Sequence, residues 1–100
     1  MAFNDIVTKN IRLIILRELN ESSGYTSNNS VLHMVLTKWG VALSRDRIRT
    51  ELDWLGEQGY VAIMPLGEAN VRVTLTPRGI DVASGHVIVD GVQRPSPSVG

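Results

Sequence analysis

Residues 4 to 20 read as a helix, and that helix is apolar on two sides. Good helix formers run through Ile14, Ile15, Leu16, Arg17, Glu18 and Leu19, and Asn4 or Asp5 can cap the start. At about 100° per residue, Val7, Ile11, Ile14, Ile15 and Leu19 form one broad face, while Ile6, Leu13 and Leu16 fall nearly opposite. A helix of this kind must be covered twice. In a chain of 100 residues, which suits one core burying about two-thirds of the unfolded surface, the second cover is either a C-terminal segment or a partner subunit. The partner is the preferred reading, so Ile6, Leu13 and Leu16 are the expected homodimer contacts.

The chain has no cysteine and two histidines, His33 and His86. Disulfides and thiolate metal sites are thus excluded, and neither a metal nor any other cofactor is expected. Ten basic and ten acidic residues cancel, and they cancel locally along the chain. A nucleic-acid binder usually carries a basic excess, and its lack weighs against a broad phosphate-binding surface. No apolar run reaches the roughly 18 residues of a membrane span, and the N-terminus lacks the plan of a signal peptide, so a cytoplasmic protein without membrane contact is expected.

After turn chemistry over Glu21 to Asn29, in which Gly24 is free to take positive φ and Ser27 or Asn28 can cap, a second helix is predicted over 29–39. Val31, Leu32, Val35, Leu36 and Trp39 are its buried stripe, with Trp39 placed in the core and His33 exposed. Gly40 ends it. Ser44 caps a third helix over about 45–58, whose core stripe is Ile48, Leu52 and Leu55 and which closes at Gly59. Tyr60 to Met64, a turn over 65–70, and the alternation Val71, Val73, Leu75 predict a β-hairpin with one buried face. Thr76-Pro77 opens a last short helix stopped by Gly85, and His86 to Val89 reads as a short strand. The domain is set at residues 1–90, with 91–100 a flexible or partner-docking tail. The fold class is α+β, mainly α: a winged helix-turn-helix of three helices, a hairpin wing and a short C-terminal helix.

Two passages carry a resemblance. Leu52-Asp-Trp-Leu-Gly-Glu-Gln-Gly59-Tyr-Val resembles the passage from recognition helix into wing in MarR-, PadR- and ArsR-type regulators, and Leu75-Thr-Pro-Arg-Gly79 resembles the segment after their wing. Over nearly its whole length the chain also looks like small proteins of Mu-like phages and prophages labelled ArsR-like regulators. Ser44-Arg-Asp-Arg-Ile-Arg-Thr-Glu-Leu-Asp-Trp-Leu, Thr76-Pro-Arg-Gly-Ile-Asp-Val-Ala-Ser-Gly85 and Gly91-Val-Gln-Arg-Pro-Ser-Pro97 carry that similarity. The label implies transcription control, while the metal-sensing thiolates of many ArsR proteins have no counterpart here.

On this reading the third helix enters a major groove of double-stranded DNA. Arg45 and Arg49 reach guanine or phosphate, Thr50 a base edge or sugar, Arg47 the backbone, and Arg72 on the wing a phosphate. A dimer would then read a palindromic site with half-sites about one helical turn apart. Against this stands the outward stripe Asp46, Thr50, Asp53 and Glu57, mainly acidic, which would repel phosphate. The alternative is an adaptor that binds another phage protein through the same scaffold without touching DNA. Trp54 points away from the core stripe and suits either a core edge or a subunit contact, and Tyr25 suits either a packing plug or a contact. No nucleophile motif, carboxylate pair or cofactor fingerprint suggests an enzyme.

Overall fold

The computed structural model describes residues 3–96 and has four helices and one three-stranded antiparallel sheet. The order is α1 (Phe3–Glu21), a short 3-10 turn (Ser23–Tyr25), β1 (Thr26–Asn28), α2 (Asn29–Lys38), α3 (Arg45–Glu57), β2 (Val61–Gly67), β3 (Asn70–Leu75) and α4 (Pro77–Ala83). None of these helices is long and apolar enough to cross a membrane.

α1 begins at Phe3, one residue before the expected start, so Asp5 sits inside the first turn, where a carboxylate suits the helix dipole, and does not cap. Of its main face, Ile11, Ile15 and Leu19 are fully buried, while Val7 and Ile14 are partly buried against them. The second face is covered by the same chain. Leu16 is fully buried and Leu13 nearly so, because α4 packs on α1 and the segment 89–93 lies across it. Gln93 N–H donates to the Lys9 carbonyl at 3.1 Å, Arg12 Nη1 donates to the Gly91 carbonyl at 3.0 Å, and Val92 is buried. Leu13 and Leu16 are therefore interior residues rather than the dimer contacts expected of them, and of that trio Ile6 alone is exposed. The same contacts place residues 91–93 on the domain, so the expected tail boundary at 91 falls too early; residues 97–100 lie outside the described residues.

The sheet has a strand that the sequence pattern hid. β1 pairs with β3, Thr26 opposite Thr74 and Asn28 opposite Arg72, and the Thr26 and Thr74 hydroxyls bond at 2.8 Å. The strand order is β1-β3-β2, which leaves β2 at an edge. That position explains why Pro65, lacking an N–H, is tolerated inside β2, and a bulge beside it lets the hairpin run on to Gly67 and Asn70. The turn is accordingly shorter than the expected 65–70. Val71, Val73 and Leu75 face the core and Arg72 faces solvent, as the alternation requires.

The caps follow the sequence closely. Asn28 Oδ1 accepts from Val31 N–H, Ser44 Oγ from Arg47 N–H and Thr76 Oγ1 from Gly79 N–H. Gly40 at φ +83° lets Val41 N–H reach back to the Leu36 carbonyl and close α2. This closure also takes Trp39 out of the core. As the C-cap of α2 it has left helical geometry, the chain turns away toward α3, and its side chain is 69% exposed. His33 is half-buried instead of exposed, with Nε2 3.0 Å from the Leu43 carbonyl. Tyr25 is exposed with a left-handed backbone (φ +57°), so it plugs nothing. His86–Val89 forms no strand. β1 and β2 already flank β3, and the His86 and Val87 amides both donate to the Asp81 carbonyl, winding the segment onto the end of α4.

Candidate functional site

The surface to test is the outer face of α3 with the hairpin beside it. Ile48, Leu52 and Leu55 are buried at 1% exposure or less, which fixes the rotation of α3 and turns Arg45, Asp46, Arg49, Thr50 and Asp53 outward. The start of α2 is tied to the hairpin through Asn29, whose Oδ1 accepts from Val71 N–H and whose Nδ2 donates to the Ala69 carbonyl. The Asn29 side chain thus joins the start of α2 to the hairpin at Ala69 and Val71.

The five residues expected to touch DNA separate by what already engages them. Arg45 is exposed, and its only hydrogen bond among the described residues is a long one, 3.5 Å, to Ser30 Oγ in the first turn of α2. Arg49 lies one turn further on, and its Nε sits 3.1 Å from Asp53 Oδ1, an i,i+4 pair with both partners roughly half exposed. Such a pair is weak and can be exchanged for a stronger anion. Thr50 Oγ1 donates to the Asp46 carbonyl within the helix. Arg72 stands on the solvent face of β3, with Nη1 3.9 Å from Met64 Sδ, and shares no hydrogen bond with the α3 arginines.

Arg47, part-buried, is already engaged by the protein itself. Its Nε donates to Glu51 Oε2 at 2.8 Å and its Nη2 to Thr8 Oγ1 at 2.6 Å. Glu51 is 3% exposed and takes a second guanidinium, Arg12 Nε, on Oε1 at 2.8 Å. Arg12 in turn lies over the Trp54 ring, 3.7 Å from its centroid, and Trp54 meets Tyr60 edge to face at 6.2 Å. A carboxylate bridging two guanidiniums, one of them stacked on an indole, is a brace joining α1 to α3. Trp54 is therefore an internal partner, as its core-edge reading anticipated.

Sequence reasoning passed over Glu51 and Arg12, although one signal was there. Glu51 follows Ile48 by three residues and so falls on the core stripe of α3, where a charged group requires a partner. Arg47, four residues earlier, was the obvious first partner; Arg12, 39 residues away, was not.

No protein-family model matches the chain, and no solved structure matches it significantly. Two protein sequences do. An uncharacterized protein of Haemophilus influenzae is 38% identical over 78 residues, covering 78% of this chain and 76% of that protein. The uncharacterized protein gp26 of Escherichia phage Mu is 46% identical over 94 residues, covering 94% of this chain and 96% of its own length. At that identity and coverage, the chain belongs to the family of phage Mu gp26.

Proposed function

We propose that the chain is a winged helix-turn-helix protein that binds double-stranded DNA through the first two turns of α3, in gene regulation of a Mu-like phage. Its place would then be the cytoplasm, and its role one of binding and not catalysis. The element order supports the fold reading: α2 and α3 form the helix-turn-helix, β2–β3 the wing, and β1 completes the sheet against the returning wing strand. The observation that carries the functional reading is the pair Arg45, exposed, and Arg49, half-exposed, one turn apart at the capped start of a helix whose rotation the core has fixed. Only these turns enter the groove on this reading, since Asp53 and Glu57 occupy the outward line beyond them.

Arg45→Ala and Arg49→Ala should each weaken binding to the operator upstream of the protein's own gene cluster by about 5- to 150-fold, equivalent to about 1–3 kcal/mol for a good base contact. Affinity should fall steeply with salt. Arg47→Ala should instead lower thermal stability, because its guanidinium is held by Glu51 and Thr8. Mobility shifts at low salt measure this, and the absence of any shift with that DNA would overturn the reading.

One observation favours a second reading, the protein adaptor. Asp46, Asp53 and Glu57 are all exposed on the outward line of α3, and Asp53 already holds Arg49. The adaptor reading expects a phage protein to co-purify with the wild type and to be lost from Asp53→Lys/Glu57→Lys.

A further inference from the structure

Three carboxylates, Asp46, Asp53 and Glu57, lie exposed along the outward line of α3, and they are not equivalent. Asp46 stands in the first turn, where a negative charge suits the helix dipole. Among the described residues, neither Asp46 nor Glu57 forms an ion pair. Asp53 lies on Arg49, with Oδ1 3.1 Å from Nε, and that contact is the one hydrogen bond of either side chain among the described residues. Nη1 and Nη2 of Arg49 are left with their donors unused.

We infer, resting on the DNA reading above, that Asp53 is a specificity-determining residue that presents Arg49 to guanine and turns it away from phosphate. A guanidinium is planar and carries five donors in a fixed fork, so an acceptor on Nε sets its plane and leaves the Nη1 and Nη2 end free. That end matches O6 and N7 of a guanine in the major groove. Both are neutral acceptors, which an arginine can meet while its Nε stays with a carboxylate. A phosphate is different, because it is an anion. Exchanging Asp53 for a phosphate would leave the carboxylate beside that phosphate, and the like-charge contact opposes the exchange. Discrimination then comes from rejecting the wrong acceptor as well as from meeting the right one. Arg45, which forms no ion pair among the described residues and makes one long bond to the Ser30 hydroxyl, stays open to base and phosphate alike. The two arginines, one turn apart, therefore do different work: Arg49 reads sequence, and Arg45 can also anchor the backbone.

The test is selection of bound sequences from randomised duplex DNA at low salt, followed by titration of the selected site and of a duplex holding A·T pairs alone. Wild type should select a site with a guanine that Arg49→Ala no longer requires. Arg49→Lys keeps the charge without the fork and should lower that preference by about 5- to 150-fold. Asp53→Asn should move two readings in opposite directions, binding the A·T duplex more tightly and preferring the guanine less, each by about two- to fivefold. A general loss of structure would weaken both. Asp53→Glu, which returns the charge, should bring both readings back toward wild type. Asp53 is exposed and touches Arg49 alone by hydrogen bond, so its variants should keep the wild-type circular dichroism. A guanine preference or an A·T affinity that Asp53→Asn leaves unchanged would overturn the assignment while DNA binding stood. Recovery of no duplex by the wild type would instead remove the DNA reading, and this assignment with it.

Discussion

Glu51→Ala should cost about 3–5 kcal/mol of folding stability, the range for breaking a buried ion pair by removing one partner. The loss arises mainly from what is left behind. Arg12, whose side chain is 15% exposed, would keep its charge against the Trp54 ring with one fewer acceptor, and the alanine would leave a void in the α1–α3 contact. Arg47 contributes less, since its side chain is 38% exposed and water can replace part of what it loses. Chemical denaturation measures the effect, and thermal unfolding should fall by more than about 10 °C. Glu51→Gln, which keeps the shape and one acceptor oxygen, should cost about 1–3 kcal/mol. A loss below about 1 kcal/mol for the alanine variant would mean that the brace contributes no net stability. In that case the two guanidiniums would be serving geometry alone, holding α3 at its angle to α1.

Gly79→Ala should be at least as damaging, at about 3 kcal/mol or more, the upper end of overpacking costs. A Cβ at residue 79 would overlap the Tyr60 carbonyl oxygen and come within 2.6 Å of Leu75 Cδ1. The carbonyl cannot simply withdraw, because it accepts the Thr76 N–H at 3.1 Å and so joins the start of β2 to the start of α4. Gly56→Ala is the matched control. Its Cβ would meet only the flexible tip of Ile63, at 3.2 Å, and removing a helix-interior glycine gains about 0.5–1 kcal/mol, so the variant should be close to neutral or more stable. Comparable losses at the two positions would show that close backbone approach is not what Gly79 provides.

This contact also gives the Leu75-Thr-Pro-Arg-Gly79 motif a physical meaning. Threonine caps α4, proline fills its first turn, and glycine lets the helix lie directly on a strand-start carbonyl. The close approach at Gly79 was not legible in the sequence; the threonine cap and the proline were, as were the Ser44 cap, the Ile48, Leu52 and Leu55 stripe, and the alternation of β3. These features are local, each decided by residues within one or two turns. The rest depended on pairing over distance. β1 is three polar residues with no periodicity of its own, and it is a strand only because β3 lies alongside. Trp39 completes the α2 stripe by angle but falls one residue past the helix, where no element arrives to cover it. Of the expected DNA contacts, Arg45, Arg49, Thr50 and Arg72 reach the surface, while Arg47 is engaged by Glu51, a carboxylate whose place on the core stripe the sequence reading passed over. The two-sided demand of α1 is legible in its periodicity, but which of the two covers answers it is not, because the answer lies some 80 positions later in the chain.

That long closure governs when the protein can become itself. α1 is made first, yet the Arg12 bond to the Gly91 carbonyl spans 79 positions, so the helix stays half clothed until residue 92 has cleared the ribosome. Throughout synthesis, at roughly 5–20 residues per second, Leu13 and Leu16 remain open to wrong neighbours. Full cover of α1 therefore waits for residues 89–93, and nascent chains stalled before residue 90 should be the aggregation-prone species.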